Sequence, residues 1–557
     1  MPGPTSRNPR TAVLSIEDIK SLIAKGSTIV IFKQKVLNLD SWLPFHPGGA
    51  KIVLHVVGKD ATDEINAFHS PGAISLMQRF QIGTIEGTWD NLLPPIQGGS
   101  YQDRDGVLLD DKGSDMSTDS PCMLSDVASL PDSPTCHKRC LASDSDDDLK
   151  PSTTSNSQDP LVDEKEHSMS LIDLGNKTRV TLDPSMYPAA GTEIQSDVAI
   201  KYRLLDQRLH DQGLYQCHYS AYGIEAARCT VIFFAMTFAV YHGWVLIGGV
   251  FLGLFWHQMV FIAHDAGHSG ITHNFTIDSV IAMTVGSHIG GLSMGWWKKS
   301  HNIHHVATNA PEHDPDIQHL PFFAVSLRFM NSIYSTYYER IMSHTRVSKF
   351  LLRYQAYYYY AGLTLGRFNL YVLSWQHLLQ GGRKGRTWWY PWFELSGHIF
   401  FWTWFGYFLV YRSIQTAWSR FGFVMVSHMT TMPLHVQFTL SHFAMSTASL
   451  GPQESFPQRM LRTTMDVDCP PWLDFLHGGL QFQAVHHLFP RLPRHNLRRA
   501  QKLVRDFCLD VGIPFAVYGV VDSNKVVLGH LDDIGRQVAI MEKCRDVIMQ
   551  TDHAVRE

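Results

Sequence analysis

Two long apolar stretches, each running into histidine, constrain the fold of this chain more than any other feature. From Ala226 to Ala263 the sequence is almost wholly apolar, broken at Tyr241-His-Gly-Trp244, and His264-Asp-Ala-Gly-His268 begins where it stops. A second apolar pair covers about 393–410 and 421–438, divided at Tyr411-Arg-Ser413, and His442 follows directly. A bilayer span needs about 20 apolar residues, so each stretch suits a hairpin of two helical passes with a short turn. Two such hairpins leave every histidine cluster at one face of the membrane. The remaining clusters are His301-Asn-Ile-His304-His305 and Gln483-Ala-Val-His486-His487. Spacings of three and four put these imidazoles on one helix face. Imidazole is a common iron ligand, and a set this large can hold two iron ions without carboxylates. An isolated pair would read as core or surface histidine; three clusters beside apolar stretches favour a metal centre. Asp265 is expected to accept a hydrogen bond that fixes a histidine tautomer. His273, His288, His313, His428, His435 and His495 are read as structural or surface residues.

Lys298, Lys299, Arg491, Arg494, Arg498 and Arg499 share the side of the clusters, which the positive-inside tendency makes cytosolic. The apolar region Tyr354–Leu379 reads as interfacial helix, because one more pass would carry the last cluster across the membrane. The 557 residues leave room for several domains. A net charge of −4 gives no reason to expect a nucleic-acid partner. The 8 cysteines form no C-x-x-C pair and read as reduced thiols. Residues 1–10 have no apolar core, so no cleavable signal is expected.

Residues 11–88 read as a small α+β domain. Ser15 caps a helix and Ile29–Phe32 is a strand. Trp42-Leu-Pro-Phe-His46-Pro-Gly-Gly49 follows, then Asp60-Ala-Thr62 and Phe68-His69-Ser70. Two histidines among turn glycines and helix can close on opposite faces of a planar cofactor. This segment resembles the cytochrome b5 family, whose axial haem ligands match His46 and His69. A haem b held by two histidines has no open position and so carries electrons. Lys35-Val-Leu-Asn-Leu-Asp40 departs from that family's strand sequence. Residues 98–170 are rich in Asp, Ser, Thr and Pro and read as a disordered acidic linker. A tether of that kind spans roughly 50–60 Å and keeps the haem domain near the rest of the chain without fixing its pose.

The region 196–530 resembles the membrane fatty-acyl desaturases, which carry H-x-x-x-H, H-x-x-H-H and H/Q-x-x-H-H boxes on the cytosolic side. The resemblance implies an all-α polytopic domain with about four transmembrane helices. It also implies a di-iron centre on His264, His268, His301, His304, His305, His486 and His487, with His442 as an extra ligand. Gln483, in place of the third box's first histidine, and the fused haem domain point to the front-end branch. Gln483 either ligates weakly through its carbonyl or orients a bound water. The stretch from Gln481 to Arg498 is most similar to the fungal sphingolipid delta-8 desaturases; Ala484-Val485 departs from the Q-I-E-H-H of polyunsaturated-chain enzymes. The implied substrate is the long-chain base of a ceramide, the oxidant dioxygen, and the electron source NADH through a cytochrome b5 reductase. The implied location is the endoplasmic reticulum membrane. Three rivals stay open: a front-end acyl-lipid desaturase, a haem-fused lipid hydroxylase and a non-catalytic haem-binding adaptor. Neither product geometry nor oligomeric state is legible.

Overall fold

The computed structural model describes residues 12–101, 185–380 and 388–556. The expected linker lies, from residue 102 onward, outside the described residues. The N-terminal part opens with α1 (Ile16–Ala24), whose cap is reciprocal. Asp18 N donates to Ser15 Oγ at 3.1 Å and Ser15 N donates to Asp18 Oδ2 at 3.1 Å. Three antiparallel strands follow in the order β1 (Ile29–Phe32), β2 (Lys35–Asn38) and β3 (Gln81–Thr84), with Ile29 opposite Asn38 and Lys35 opposite Thr84. The divergent segment at Lys35 therefore still forms the strand. Alternation along β1 feeds two cores. Ile29 and Ile31 pack with Ile19 and Ile23 of α1. Val30 and Phe32 face the helices α2 (Ala50–Leu54) and α3 (Thr62–Phe68), meeting Ile52 and Ile65. The helix α4 (Pro71–Met77) closes the loop after His69 and is capped by Ser70.

After α5 (Thr192–Asp211), the expected hairpin forms from α6 (Tyr219–Tyr241) and α7 (Val245–Gly267), turning at His242-Gly243-Trp244. Gly243 takes a φ of +77°, which the tight turn requires. Another glycine sets the packing. A Cβ on Gly253 of α7 would stand 2.5 Å from the Ser427 carbonyl, so α14 (Ala417–Met429) approaches along a side-chain-free stripe. Between them lie α8 (Phe275–Met283) and α9 (Met294–Val306). They are followed by α10 (Arg346–Arg353), α11 (Gln355–Thr364), α12 (Gly366–Leu379) and α13 (Tyr390–Phe401). The rest comprises α15 (Met432–Leu440), α16 (Phe456–Thr463), α17 (Asp474–His477), α18 (Gln483–Leu488), α19 (Leu497–Val511) and α20 (Val520–Arg556). A short parallel ladder, β4 (Asp466–Asp468) with β5 (Val517–Gly519), ties the segment before the third box to the start of α20.

Among the described residues two helices, α6 and α7, are long and apolar enough to cross a membrane by themselves. The other two expected passes are interrupted. α13 changes to π-helical winding over Trp402–Arg412, and the segment after α14 breaks at Thr430-Thr431 before α15. Tyr354–Leu379 forms the two separate helices α11 and α12 instead of one pass, and Gln355 Nε2 at the start of α11 donates to the Leu531 carbonyl of α20 at 3.0 Å. The haem domain is docked. Val30, Phe32, Ile52 and Ile65 share one buried core with Ile303, Val306 and Ala307 of α9.

Candidate metal centre

The histidine boxes converge. His264 lies in the last turn of α7 and His268 caps that helix; α9 carries His301, His304 and His305; α18 carries His486 and His487; His442 follows α15. His264, His268, His301 and His486 form one group whose ligand atoms all lie within 4.8 Å of one another, and His304, His442 and His487 form another. His305 stands between them. Its ring lies 4.8 Å from His268 and 4.9 Å from His486 on one side, and 4.1 Å from His487 on the other.

The donor set fits metal ions. His268 Nε2, His305 Nδ1, His486 Nε2 and His487 Nε2 are buried without a hydrogen-bond partner. A buried polar nitrogen left unpaired costs about 1–3 kcal/mol, so several in one place mark a site built for a ligand. Burial, then the neighbouring imidazoles, pushes His268, His305, His486 and His487 well below the ordinary histidine range, leaving neutral rings with lone pairs. His304 differs. Burial opposes its charge, but Asp314 and then Asp316 outweigh that and raise it to about 9. His304 Nδ1–H donates to Asp314 Oδ2 at 2.9 Å, and His301 Nδ1 stands 3.5 Å from Asp316 Oδ2. These carboxylates leave Nε2 as the ligating atom. His442 Nδ1 faces the Thr463 carbonyl at 3.4 Å, and the Asn309 amide donates to the His442 carbonyl at 2.9 Å. Gln483 is buried on the first turn of α18, three and four residues before the histidine pair.

Asp265 makes its short contacts elsewhere than the expected histidine. Its Oδ1 stands 3.8 Å from His264 Nδ1, whereas Oδ2 accepts from Tyr222 Oη at 2.5 Å and Arg494 Nη1 at 2.9 Å. Asp314 and Asp316, which sequence reasoning passed over, hold box histidines instead; the sign available was an Asp-Pro-Asp just after the second box. His273 is structural as expected, with both ring nitrogens against carbonyls, Ser269 at 3.0 Å and Tyr215 at 2.7 Å. His288 Nδ1 and His428 Nδ1 likewise donate to backbone carbonyls.

In the N-terminal domain His46 and His69 face each other with ring centroids 6.0 Å apart, room for one metal atom between them. His46 Nδ1–H donates to the Gly49 carbonyl and His69 Nδ1–H to the Ile65 carbonyl, both at 3.0 Å, which turns each Nε2 inward. Burial lowers both pKa values, that of His69 to about 3, so both rings are neutral donors.

The fatty acid desaturase family profile matches residues 241–519, and the cytochrome b5-like heme/steroid binding domain profile matches residues 15–86. A relative in Emericella nidulans, named Delta 8-(E)-sphingolipid desaturase, is 52% identical over 96% of this chain and 97% of its own length. The chain belongs to the fatty acid desaturase family. It carries a cytochrome b5-like domain at its N-terminal end. Relatives with the same name in Candida albicans and Kluyveromyces lactis are 46% identical over 95% of this chain and 96% of their length, and 47% identical over 96% and 94%. In this desaturase all eight box and extra-ligand histidines expected of the family are present, at positions 264, 268, 301, 304, 305, 442, 486 and 487.

Proposed function

We propose that the chain is a sphingolipid delta-8 desaturase, placing a double bond of E geometry in the long-chain base of a ceramide. The carrying observation is the pair of buried imidazole groups in a chain matched over almost its full length by fungal proteins bearing that name. In this reading His46 and His69 hold haem b. His264, His268, His301 and His486 hold one iron ion, and His304, His442 and His487 the other. His305 stands between the two, and Gln483 adds an oxygen ligand or orients a water. When bound, the iron pair supplies the dioxygen chemistry that takes two hydrogen atoms from adjacent methylenes.

The chain's own part is positioning. Asp314 and Asp316 hold the rings of His304 and His301, and burial keeps bulk water from the imidazoles. Four passes are proposed, α6, α7, the α13 helix with its π-helical continuation, and the pair α14 and α15. Trp402–Arg412 extends α13 to 23 residues in all, about 34 Å at helical rise. The boxes and the haem domain then face the cytosol beside Lys298, Lys299 and Arg498, in the endoplasmic reticulum membrane. NADH is the electron source, through a cytochrome b5 reductase. The domains are 11–88 for haem, 98–170 for the linker and 196–530 for desaturation.

The test is a lipid extract from cells that lack endogenous delta-8 unsaturation and express the chain, with the double bond located by mass spectrometry. A new E bond at carbon 8 of the long-chain base is expected. A new hydroxyl would mean a hydroxylase, unsaturation confined to acyl chains would mean an acyl-lipid desaturase, and unchanged lipids in cells with folded, metal-loaded protein would mean a non-catalytic adaptor.

A further inference from the structure

The two loops that carry His46 and His69 are also loops by which the haem domain touches the desaturase part. On the His46 side, a Cβ on Gly48 would stand 2.9 Å from Asn302 Nδ2, and one on Gly49 3.4 Å from Lys299 Cγ. Asn302 and Lys299 flank His301 on α9. On the His69 side, Arg491 Nη1 donates to the His69 carbonyl at 2.7 Å. Phe68, bonded directly to His69, sets its ring edge-on to His305 with centroids 5.7 Å apart and planes at 79°. The same ring packs against both the haem-domain core and the core around α18. Ion pairs fix this arrangement. Arg203 Nε donates to Asp63 Oδ1 at 2.6 Å and Nη2 to Oδ2 at 3.3 Å, while Lys51 Nζ lies 2.7 Å from Glu339 Oε1 and donates to the Thr336 carbonyl at 2.8 Å.

We propose that Phe68 is the contact through which the haem domain delivers electrons to the histidine centre, and that the docked pose is the delivering one. The inference rests on the haem and iron reading above and adds the route. Phe68 is a positioning and coupling residue: its ring lies edge-on to His305, and its backbone is bonded directly to the haem-ligand residue His69. With haem on His46 and His69 and iron on the histidine boxes, each delivery would take one electron from ferrous haem and give it to the iron. Two deliveries and two protons, with the two hydrogens taken from the lipid, reduce one dioxygen to two waters as one double bond forms.

The experiment uses the full-length holoprotein in lipid nanodiscs, as wild type, Phe68→Leu and Phe68→Tyr. A zero-length carbodiimide cross-link between Lys51 and Glu339, located by mass spectrometry, reports docking. The haem spectrum and midpoint potential report the haem site, and stopped-flow reoxidation of pre-reduced haem with ceramide and dioxygen reports delivery. Expected are the cross-link, spectrum and potential of the wild type in both variants, reoxidation near the wild-type rate in Phe68→Tyr, and reoxidation several-fold slower in Phe68→Leu. Wild-type reoxidation in Phe68→Leu, or no Lys51–Glu339 cross-link in the wild type, overturns the proposal. Should Phe68→Leu lose haem, Phe68→Met carries the same comparison. A wild type without haem or iron defeats the underlying reading and this one with it; a loaded wild type with an unimpaired Phe68→Leu defeats this one alone.

Discussion

Asp314→Asn is the substitution that most directly separates the two halves of the proposed iron site. Asp314 is fully buried, and its two oxygens serve three donors: His304 Nδ1–H at 2.9 Å, Asn309 N at 2.8 Å and Asp316 N at 2.9 Å. The asparagine keeps the volume but loses the charge and one acceptor oxygen. One buried donor is left unpaired, at about 1–3 kcal/mol. Loss of a partner that orients a ligating histidine weakens metal binding by about 10–100-fold, or about 1.4–2.7 kcal/mol. The loss should fall on the group of His304, His442 and His487. The group of His264, His268, His301 and His486 uses no Asp314 contact and should hold its ion. Purified variant dialysed against graded chelator, with iron counted by mass spectrometry, should fall to one iron per chain at a chelator strength that leaves two in the wild type. Two irons with wild-type chelator resistance would refute the role given to Asp314, and parallel loss of both would refute the division into two groups.

His46→Ala and His69→Ala should each abolish the low-spin haem difference spectrum while the membrane part stays folded by size-exclusion chromatography; normal haem in both would remove the ligand assignment. Gln483→Ala should lose nearly all desaturation and Gln483→His should keep some, with the bond position unchanged in long-chain bases; a shifted bond would show that the residue helps set regiochemistry. Gly253→Val should destabilise by about 1–3 kcal/mol, because its Cβ meets the Ser427 carbonyl at 2.5 Å, whereas Gly223→Ala, with open space around it, should be neutral in the same melting assay. Burial raises the Asp466 carboxyl to about 7, against hydrogen bonds from Gln501 and Ala484, so the folded state holds this proton more tightly than the unfolded chain does. Its stabilising contribution is full below the unfolded value and lost as pH rises through about 7, so the melting temperature of Asp466→Asn relative to wild type should climb between about pH 4 and about pH 7 and level off above that.

What the sequence makes legible follows periodicity. The boxes stood out because spacings of three and four put ligands on one face, and His442 because it ends an apolar run. The haem histidines stood out because turn glycines and a short helix bracket them. Contacts made by folding alone were not legible. Asp314 and Asp316 reach their histidines from a loop, whereas Asp265, adjacent to His264 in sequence, turns to Tyr222 and Arg494. Apolar length showed where passes were wanted, but not the π-helical winding after Phe401 or the break at Thr430. The linker composition suggested a haem domain of unfixed pose; the core it shares with α9 could not be inferred from either segment by itself.

Two of the ligand-bearing helices, α9 and α18, are short, and a buried acid stands at the N-terminal end of each. α18 has six residues and no side-chain cap of its own. An isolated helix of that length does not persist in water. Asp466 Oδ1, from β4, accepts from Ala484 N at 2.8 Å and so caps it from outside. α9 begins at Ser293, and there Glu394 of α13 accepts from Ser293 Oγ at 2.6 Å and Gly295 N at 2.7 Å. In each case a side-chain oxygen accepts from the helix's first amides, which lack partners of their own. The two box helices are thus held by elements distant in sequence, one of them a proposed membrane pass. His301, His304, His305, His486 and His487 reach their common centre only once those elements have assembled. The metal site thus depends on contacts distant in sequence, and metal binding should in turn stabilise the junction of β4, α13 and both box helices.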